Sequence, residues 1–367
     1  MTSSRAVIAV GMSGGVDSSV AAALLVAAGH PVIGVTMAIW DGSVELAGGA
    51  KHSCWGPDEE EEIAAAARVA GQIGIPFHVI DLKKEYRAAV IDHFRREYLA
   101  GRTPNPCVRC NHIMKFGFLL DRARAQGLSF DRFATGHYAR VVPGADRLFL
   151  KKARDTAKDQ SYFLQFLTRD QLAGVLFPLG ERTKGEVRET ARRLGLPVAD
   201  QAESQDFIAG DYGILFSPEE APPGDIVNEK GAVLGRHRGI VHYTIGQRRG
   251  LGVDGGKPLY VTAIDARNNR VVVTDKGRLF GRGLAADQVN WLGLDRPDRP
   301  FRAHARIRQK HTEAPATVTP REDGTITVLF DEPQLSITPG QAVALYADDT
   351  VLAGATITEK IDEGADT

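Results

Sequence analysis

The chain has 367 residues, 43% of them hydrophobic, enough to bury the cores of two or three ordinary domains and too apolar for a disordered polypeptide. With 45 basic and 46 acidic residues the formal net charge is -1, so any nucleic-acid footprint has to be a local patch. Thr2 to Arg5 form no leader and no run of roughly 18 apolar residues follows, which predicts a cytoplasmic protein with no membrane segment; the three cysteines are too few for a secreted disulfide framework.

In chain order, Ala6 to Val10 reads as a strand, Asp17 to Ala28 as a helix, Pro31 to Met37 as a strand, Pro57 to Ile73 as a helix and Phe77 to Ile80 as a strand. This alternation predicts an α/β domain with a parallel sheet, whose ligands sit at the carboxyl ends of the strands. A helix near Glu85 to Ala100 leads to a Pro-rich loop, Arg102 to Cys110, then a helix to about Arg124 and a strand near Phe130 to Ala134. A charged amphipathic helix, Lys184 to Leu194, ends at Gly195 and Pro197. After Gln205 short alternating runs take over: Ile226 to Asn228, Val233 to Leu234, Leu259 to Ile264, Arg270 to Thr274, Ala303 to Arg308, Thr325 to Leu329 and Ala342 to Tyr346. They predict small β-rich domains, with divisions at 1–205, 206–282 and 283–367 and a polar tail from Asp362.

Between the first strand and first helix lies GMSGGVDSS, Gly11 to Ser19. Its glycines let the backbone turn tightly, while Ser13, Ser18, Ser19 and the free amides of the helix start offer donors to negative charge. The loop lacks the Gly-Lys-Ser/Thr of a Walker sequence and the glycine spacing of a dinucleotide fingerprint. Met37 and Gly136, each at the end of a strand, could border an adenine at the same sheet edge; His137 reads as a structural histidine.

The second dense signal is GRTPNPCVRCN, Gly101 to Asn111. Pro104 and Pro106 stiffen a loop that presents Cys107 and Cys110 at a helix start, and Arg109 lies between them, so stabilised, reactive thiolates are expected. A single zinc would need a further ligand such as His52 or His112. The acidic run Asp58 to Glu62 fits a helix N-terminus and nothing more. Two basic stretches could grip RNA phosphates: Arg248 and Arg249 on a Gly-flanked turn, and Arg302 to His311, whose alternation would put Arg302, His304, Arg306, Arg308 and Lys310 on one strand face.

SGGVDSS resembles the PP-loop of the ATP pyrophosphatases, which cleave ATP between its α- and β-phosphates. The resemblance implies that Gly11, Met12, Ser13, Gly14, Gly15, Val16, Asp17 and Ser18 hold the departing pyrophosphate, with Asp17 helping to hold Mg²⁺. GMSGGVDSS, TPNPCVRCN, ATGHYAR, KDQSYFL, ESQDF and HYTIGQRRGLG occur in the order seen in tRNA-specific 2-thiouridylases. That resemblance implies a PP-loop domain followed by small β-domains, and ATP-dependent 2-thiolation of the tRNA wobble uridine. It implies Cys110 as nucleophile, Asn105, Pro106 and Cys107 against the target base, and tRNA contacts from Lys158, Asp159, Gln160, Arg308 and Gln309. The implied partners are tRNAs for Lys, Glu and Gln and a sulfur donor such as a cysteine desulfurase relay. In one respect the chain departs from the family: Ser-Gln-Asp/Glu-Ile-Cys is usual where this sequence has Ser204 to Ile208, and Asp is usual at Cys107. Either Cys107 or Cys54 replaces the missing persulfide carrier, or Cys54, Cys107 and Cys110 hold three irons of a 4Fe-4S cluster whose fourth iron carries sulfide.

Overall fold

The computed structural model describes residues 5–44, 53–200, 206–208, 211–253 and 256–362. The chain divides into two compact units, the first comprising residues 1–90, 107–210 and 349–351, the second 91–106, 211–348 and 352–367.

The sequence alternation is realised as β1 (Ile8–Gly11), α1 (Val16–Ala27), β2 (Val32–Ala38), β3 (Ser53–Trp55), α2 (Glu59–Ile73) and β4 (Phe77–Asp81). The next helical run is α3 (Lys83–Tyr86), a π turn over Arg87–Ile91, and α4 (Asp92–Leu99). Beyond the proline loop come α5 (Pro106–Arg109), a π-helical stretch over Cys110–Phe118, and α6 (Leu119–Ala125). Then follow β5 (Arg132–Thr135), a hairpin of β6 (Ala139–Pro143) and β7 (Leu148–Lys152), α7 (Ser161–Leu164), α8 (Arg169–Ala173), β8 (Val175–Leu176), α9 (Lys184–Arg193) and β9 (Asp206–Ile208).

The parallel sheet has the order β4-β2-β1-β5-β8. From β1 the chain first builds outward to β2 and β4, then returns to place β5 on the opposite side. The reversal falls between β1 and β5, where Gly11 pairs with Thr135, and such switch points are where open α/β sheets open a crevice for ligands. The Ala-rich sequence of α1 lets it bury Val16, Val20, Ala22 and Leu25 on several faces at once, against the sheet and against α2 and α9. A capping box fixes the start of α9: Glu186 accepts from the Thr183 amide at 2.7 Å, and Thr183 Oγ1 accepts from the Glu186 amide at 3.3 Å.

In the second unit β10 (Gly224–Val227), β11 (Val233–His237), β12 (Tyr260–Asp265) and β13 (Arg270–Thr274) form a sheet in the order β11-β10-β13-β12. Six further strands are β14 (Phe280–Trp291), β15 (Phe301–Arg306), β16 (Ala314–Pro320), β17 (Ile326–Leu335), β18 (Ala342–Ala347) and β19 (Thr350–Ile361). They run in the order β14-β17-β16-β15-β18-β19, and β19 pairs back onto β14, so the sheet closes into a barrel without free edges. Ala305, Val318, Val328, Leu345 and Ile357 fill its interior.

The expected basic strand is shorter than its alternation suggested. β15 stops at Arg306 and a turn follows, so only Arg302, His304 and Arg306 share a strand face, with Arg308 and Lys310 beyond it. Arg302 spends its guanidinium on Asp331, at 2.7 and 2.5 Å. The polar tail beyond Asp362 lies outside the described residues. Among the described residues, no helix is long and apolar enough to cross a membrane.

Candidate active site

The loop after β1 is held as a cradle by two neighbours that approach it too closely for any side chain. Gly14 has φ +77°, and a Cβ there would lie 2.4 Å from the carbonyl oxygen of Glu62 on α2. Across the loop, a Cβ on Gly136 would lie 2.6 Å from the Ser18 nitrogen and 2.7 Å from the Asp17 carbonyl carbon. The result is a backbone-lined turn whose amides are available to an anion, which fits a polyphosphate. Met12 is buried, so its contribution there is main-chain only. The serine hydroxyls differ from expectation. Ser19 is fully buried and donates to the Gly15 carbonyl at 2.8 Å; Ser18 Oγ donates to the same carbonyl at 3.2 Å and accepts from the Ser13 amide at 3.2 Å. Hydroxyls at a helix start bond back onto the first turn, so here they shape the loop rather than line it.

Asp17 lies at the start of α1 with both carboxylate oxygens engaged. Lys184 Nζ donates to each of them at 2.8 Å, and the Tyr138 hydroxyl donates to Oδ1 at 2.8 Å. Met37 and Gly136 occupy the same carboxyl edge of the sheet, on opposite sides of β1, Met37 half-buried and paired with Ile80. His137 is structural, as its sequence context suggested. Its Nδ1 is 2.7 Å from Thr135 Oγ1, its ring packs near Phe116 and Phe177, and burial and then the charge of Lys115 push its pKa down to about 3. Since the unfolded chain would protonate this imidazole near pH 6.5 and the folded chain does not, the stability it confers is complete above that pH. It is lost progressively as the pH falls from 6.5 towards 3, at about 1 kcal/mol between pH 7 and 5.5. His137→Gln should therefore flatten the acid side of the unfolding-midpoint profile; a profile parallel to the wild type would refute the assignment.

All three cysteines belong to the first unit. Cys107 is exposed on α5, Cys110 half-buried where the π stretch begins, and Cys54 exposed on β3. Tyr86, which is buried, and Lys115 each lie within electrostatic reach of all three sulfurs. The wide turn of the π stretch is what brings Lys115, five positions on, to the side of Cys110. The expectation of a stabilised Cys110 thiolate is corrected. Loss of water pushes its thiol up to about 11, Lys115 pulls against this, and Cys54 adds to it. Burial likewise raises the Cys54 thiol, with Lys115 opposing and Glu62 adding to the shift. Arg109 Nε donates to the Ala89 carbonyl at 2.5 Å.

β3 pairs in parallel with β9, Ser53 beside Asp206 and Trp55 beside Ile208, which leaves Cys54 on the opposite face of its strand from Trp55. Ser204 and Gln205 lie outside the described residues, as does His52. Among the described residues no three His, Cys, Asp or Glu side chains are placed to share one metal ion, and His112 stacks on Phe166. A four-iron cluster takes each thiolate on a different iron and so spreads them wider than one ion does.

The residues expected at tRNA divide into exposed and inward-turned. Asp159 is buried and accepts from the Ala153 amide and from the amide and hydroxyl of Ser161, at 3.1, 3.2 and 2.9 Å; it builds its loop and has no outward carboxylate. Gln160 is tied to Tyr138 through both its amide and its Oε1, while Lys158 is half-buried beside them. Within the second unit, Asn105 bonds Gln341 at 3.5 Å, Pro106 opens α5, Arg308 donates to the Leu335 carbonyl at 3.3 Å, and the Gln309 carbonyl accepts from Arg306. Arg248 and Arg249 are exposed.

Sequence reasoning passed over Lys115, Tyr86, Lys184, Tyr138 and Glu62. Glu62 belongs to the acidic run read as a helix start, yet burial, then Asp58 and Glu59, push its carboxyl up to about 7, and it reaches both Gly14 through its carbonyl and Cys54 through its charge. Glu59 accepts from the Ile39 and Trp40 amides at 2.6 and 2.9 Å, which anchors the chain leaving β2. Only Tyr138 and Lys184 carried a signal, the first beside Gly136 and the second at a capping-box helix start.

The tRNA methyl transferase HUP domain family matches residues 6–209, the tRNA methyl transferase PRC-barrel domain residues 216–275, and the aminomethyltransferase beta-barrel domain residues 281–357. The chain is 46% identical over 356 residues to the tRNA-specific 2-thiouridylase MnmA of Endomicrobium trichonymphae, covering 95% of this chain and 98% of that one. It is 47% identical to the protein of that name from Geobacter metallireducens (97% and 98% covered) and 43% to that from Acetivibrio thermocellus (96% and 99%). A glycine-lined turn at the sheet's switch point, three cysteines in the same unit and near-full-length identity of this order have one reading: the chain belongs to the tRNA-specific 2-thiouridylase family.

Proposed function

We propose that this protein replaces the 2-oxygen of the tRNA wobble uridine with sulfur at the expense of ATP. The observation that carries this is the continuity of the loop and the thiols. Gly14 abuts Glu62, Glu62 acts on Cys54, and Lys115 acts on all three cysteines and on His137, the neighbour of Gly136. One nucleobase placed at this edge could meet both the α-phosphate and a sulfur.

The uridine 2-oxygen attacks the α-phosphorus of ATP and expels pyrophosphate. A sulfur nucleophile then adds to C2, and AMP leaves with the original oxygen. Adenylation is required because a carbonyl oxygen is otherwise a very poor leaving group. Gly11 to Ser18 would hold the pyrophosphate as charge builds on it, and Asp17 offers the carboxylate for Mg²⁺, which would supply charge neutralisation when bound. Cys110 remains the proposed nucleophile, with Lys115 the neighbouring cation that favours its thiolate.

Two sulfur sources fit the trio. In the persulfide route, Cys54 or Cys107 receives sulfane sulfur from a donor such as a cysteine desulfurase relay. Transfer then ends in a disulfide that a thiol reductant reopens. Cys54 suits this role because it is exposed, lies in the same unit as Cys110 and is within electrostatic reach of it. In the cluster route, the three thiolates would hold a 4Fe-4S cluster that supplies sulfide. Iron analysis of anaerobically purified protein separates them: full activity without iron removes the cluster. Lys158, Arg248, Arg249, Arg308 and Gln309 are the proposed tRNA contacts, with tRNAs for Lys, Glu and Gln as substrates in the cytoplasm. The divisions at 205 and 282 are proposed as the domain limits. Mass analysis of tRNA nucleosides from cells lacking the protein should show loss of 2-thiouridine derivatives; unchanged levels would sink the proposal.

A further inference from the structure

The geometry points to Lys184 as the resident counter-ion of the phosphate loop: it holds Asp17 until a divalent cation arrives, then yields the carboxylate to the metal and turns its own charge to the polyphosphate. The inference rests on the ATP-dependent reading above, and assigns a positioning residue to it.

Lys184 Nζ meets both oxygens of Asp17 at 2.8 Å, and Tyr138 adds a third bond at 2.8 Å, so a metal approaching this carboxylate competes with an ammonium already on both oxygens. The pair is shielded without being sealed: the Lys184 side chain is 12% exposed and that of Asp17 30%. Lys184 is the first residue of α9, where the capping box and a 2.9 Å bond from its amide to Asp155 Oδ2 fix the backbone. The stem can therefore pivot about a fixed root, and a lysine ammonium, a compact charge on a flexible chain, suits exchange better than a planar guanidinium. The ring of Tyr138 lies 5.8 Å from the ammonium and offers it a face along the way. An unpaired Asp17 would repel an incoming triphosphate, and Lys184 removes that charge until the metal takes over.

A strut between α1 and α9 would use the same bonds, and metal binding separates the two roles. Full-length protein is titrated with Mn²⁺ alone, without nucleotide, and free Mn²⁺ is read by electron paramagnetic resonance. Lys184→Met should bind Mn²⁺ about tenfold more tightly than the wild type, the order expected when a charge-assisted competitor is removed from a carboxylate. In the presence of ATP the order should reverse, the variant holding the Mn²⁺–ATP complex about tenfold more weakly. Should Lys184→Met not fold, Lys184→Gln keeps a polar stem without the charge and carries the same expectation. Folded variants that bind Mn²⁺ no better than the wild type overturn the inference. Because no tRNA is present, an error in the substrate assignment leaves this result untouched.

Discussion

Cys110→Ser should abolish thiolation, lowering product at least about 10³-fold, while ATP and tRNA still bind within about twofold of the wild type. Serine matches cysteine closely in size, and Cys110 is only half-buried, so the fold has little to lose. What disappears is a sulfur that can bond to sulfur and leave again; an oxygen cannot take its place. Pyrophosphate release dependent on tRNA should persist in the variant, because the loop from Gly11 to Ser18 is intact, and adenylated tRNA should accumulate. Nucleoside mass analysis, equilibrium binding and the unfolding midpoint would be measured together. Retention of more than a tenth of the product with an unchanged midpoint would assign the nucleophile elsewhere in the trio.

The same reaction shows what a sequence can and cannot convey. The loop and the parallel sheet were legible because their signals are local: a glycine turn between an apolar strand and an Ala-rich helix fixes both the backbone path and its chemistry. The convergence of the cysteines was legible only as chemistry. That Cys54 comes within electrostatic reach of Cys110 depends on contact between segments far apart in the chain, to which no local pattern is sensitive. The thiolate expectation failed for a related reason. It counted the neighbours of Cys110 along the chain, whereas burial acts through space and outweighs the pull of Lys115. In the barrel, β14, β16 and β19 escaped notice because Gly281, Gly283, two prolines or runs of small residues break the alternation that marks a strand. They are held by closure of the barrel rather than by local propensity.

Gly136→Ala tests the cradle with a single methyl group. Gly136 does not have the left-handed backbone that favours glycine, so the cost of alanine is steric alone. Its Cβ would lie 2.6 Å from the Ser18 nitrogen and 2.7 Å from the Asp17 carbonyl carbon, and these are backbone atoms at a helix start that cannot swing aside. Either the turn after β5 or the first turn of α1 has to move by several tenths of an ångström, at about 1–3 kcal/mol in stability. The displaced atoms carry the amides that meet the phosphates, so tRNA-dependent pyrophosphate release should fall on the order of 10²-fold, with weaker ATP binding. Alkylation of Cys107, exposed on α5, should be unchanged. Gly71→Ala is the matched control: the same methyl in α2 meets nothing within 4 Å, and helix propensity predicts a gain of about 0.5–1 kcal/mol with activity intact. If Gly136→Ala released pyrophosphate as readily as Gly71→Ala, the close approach of β5 to α1 would be incidental, and the nucleotide would have to be held by some other part of the fold.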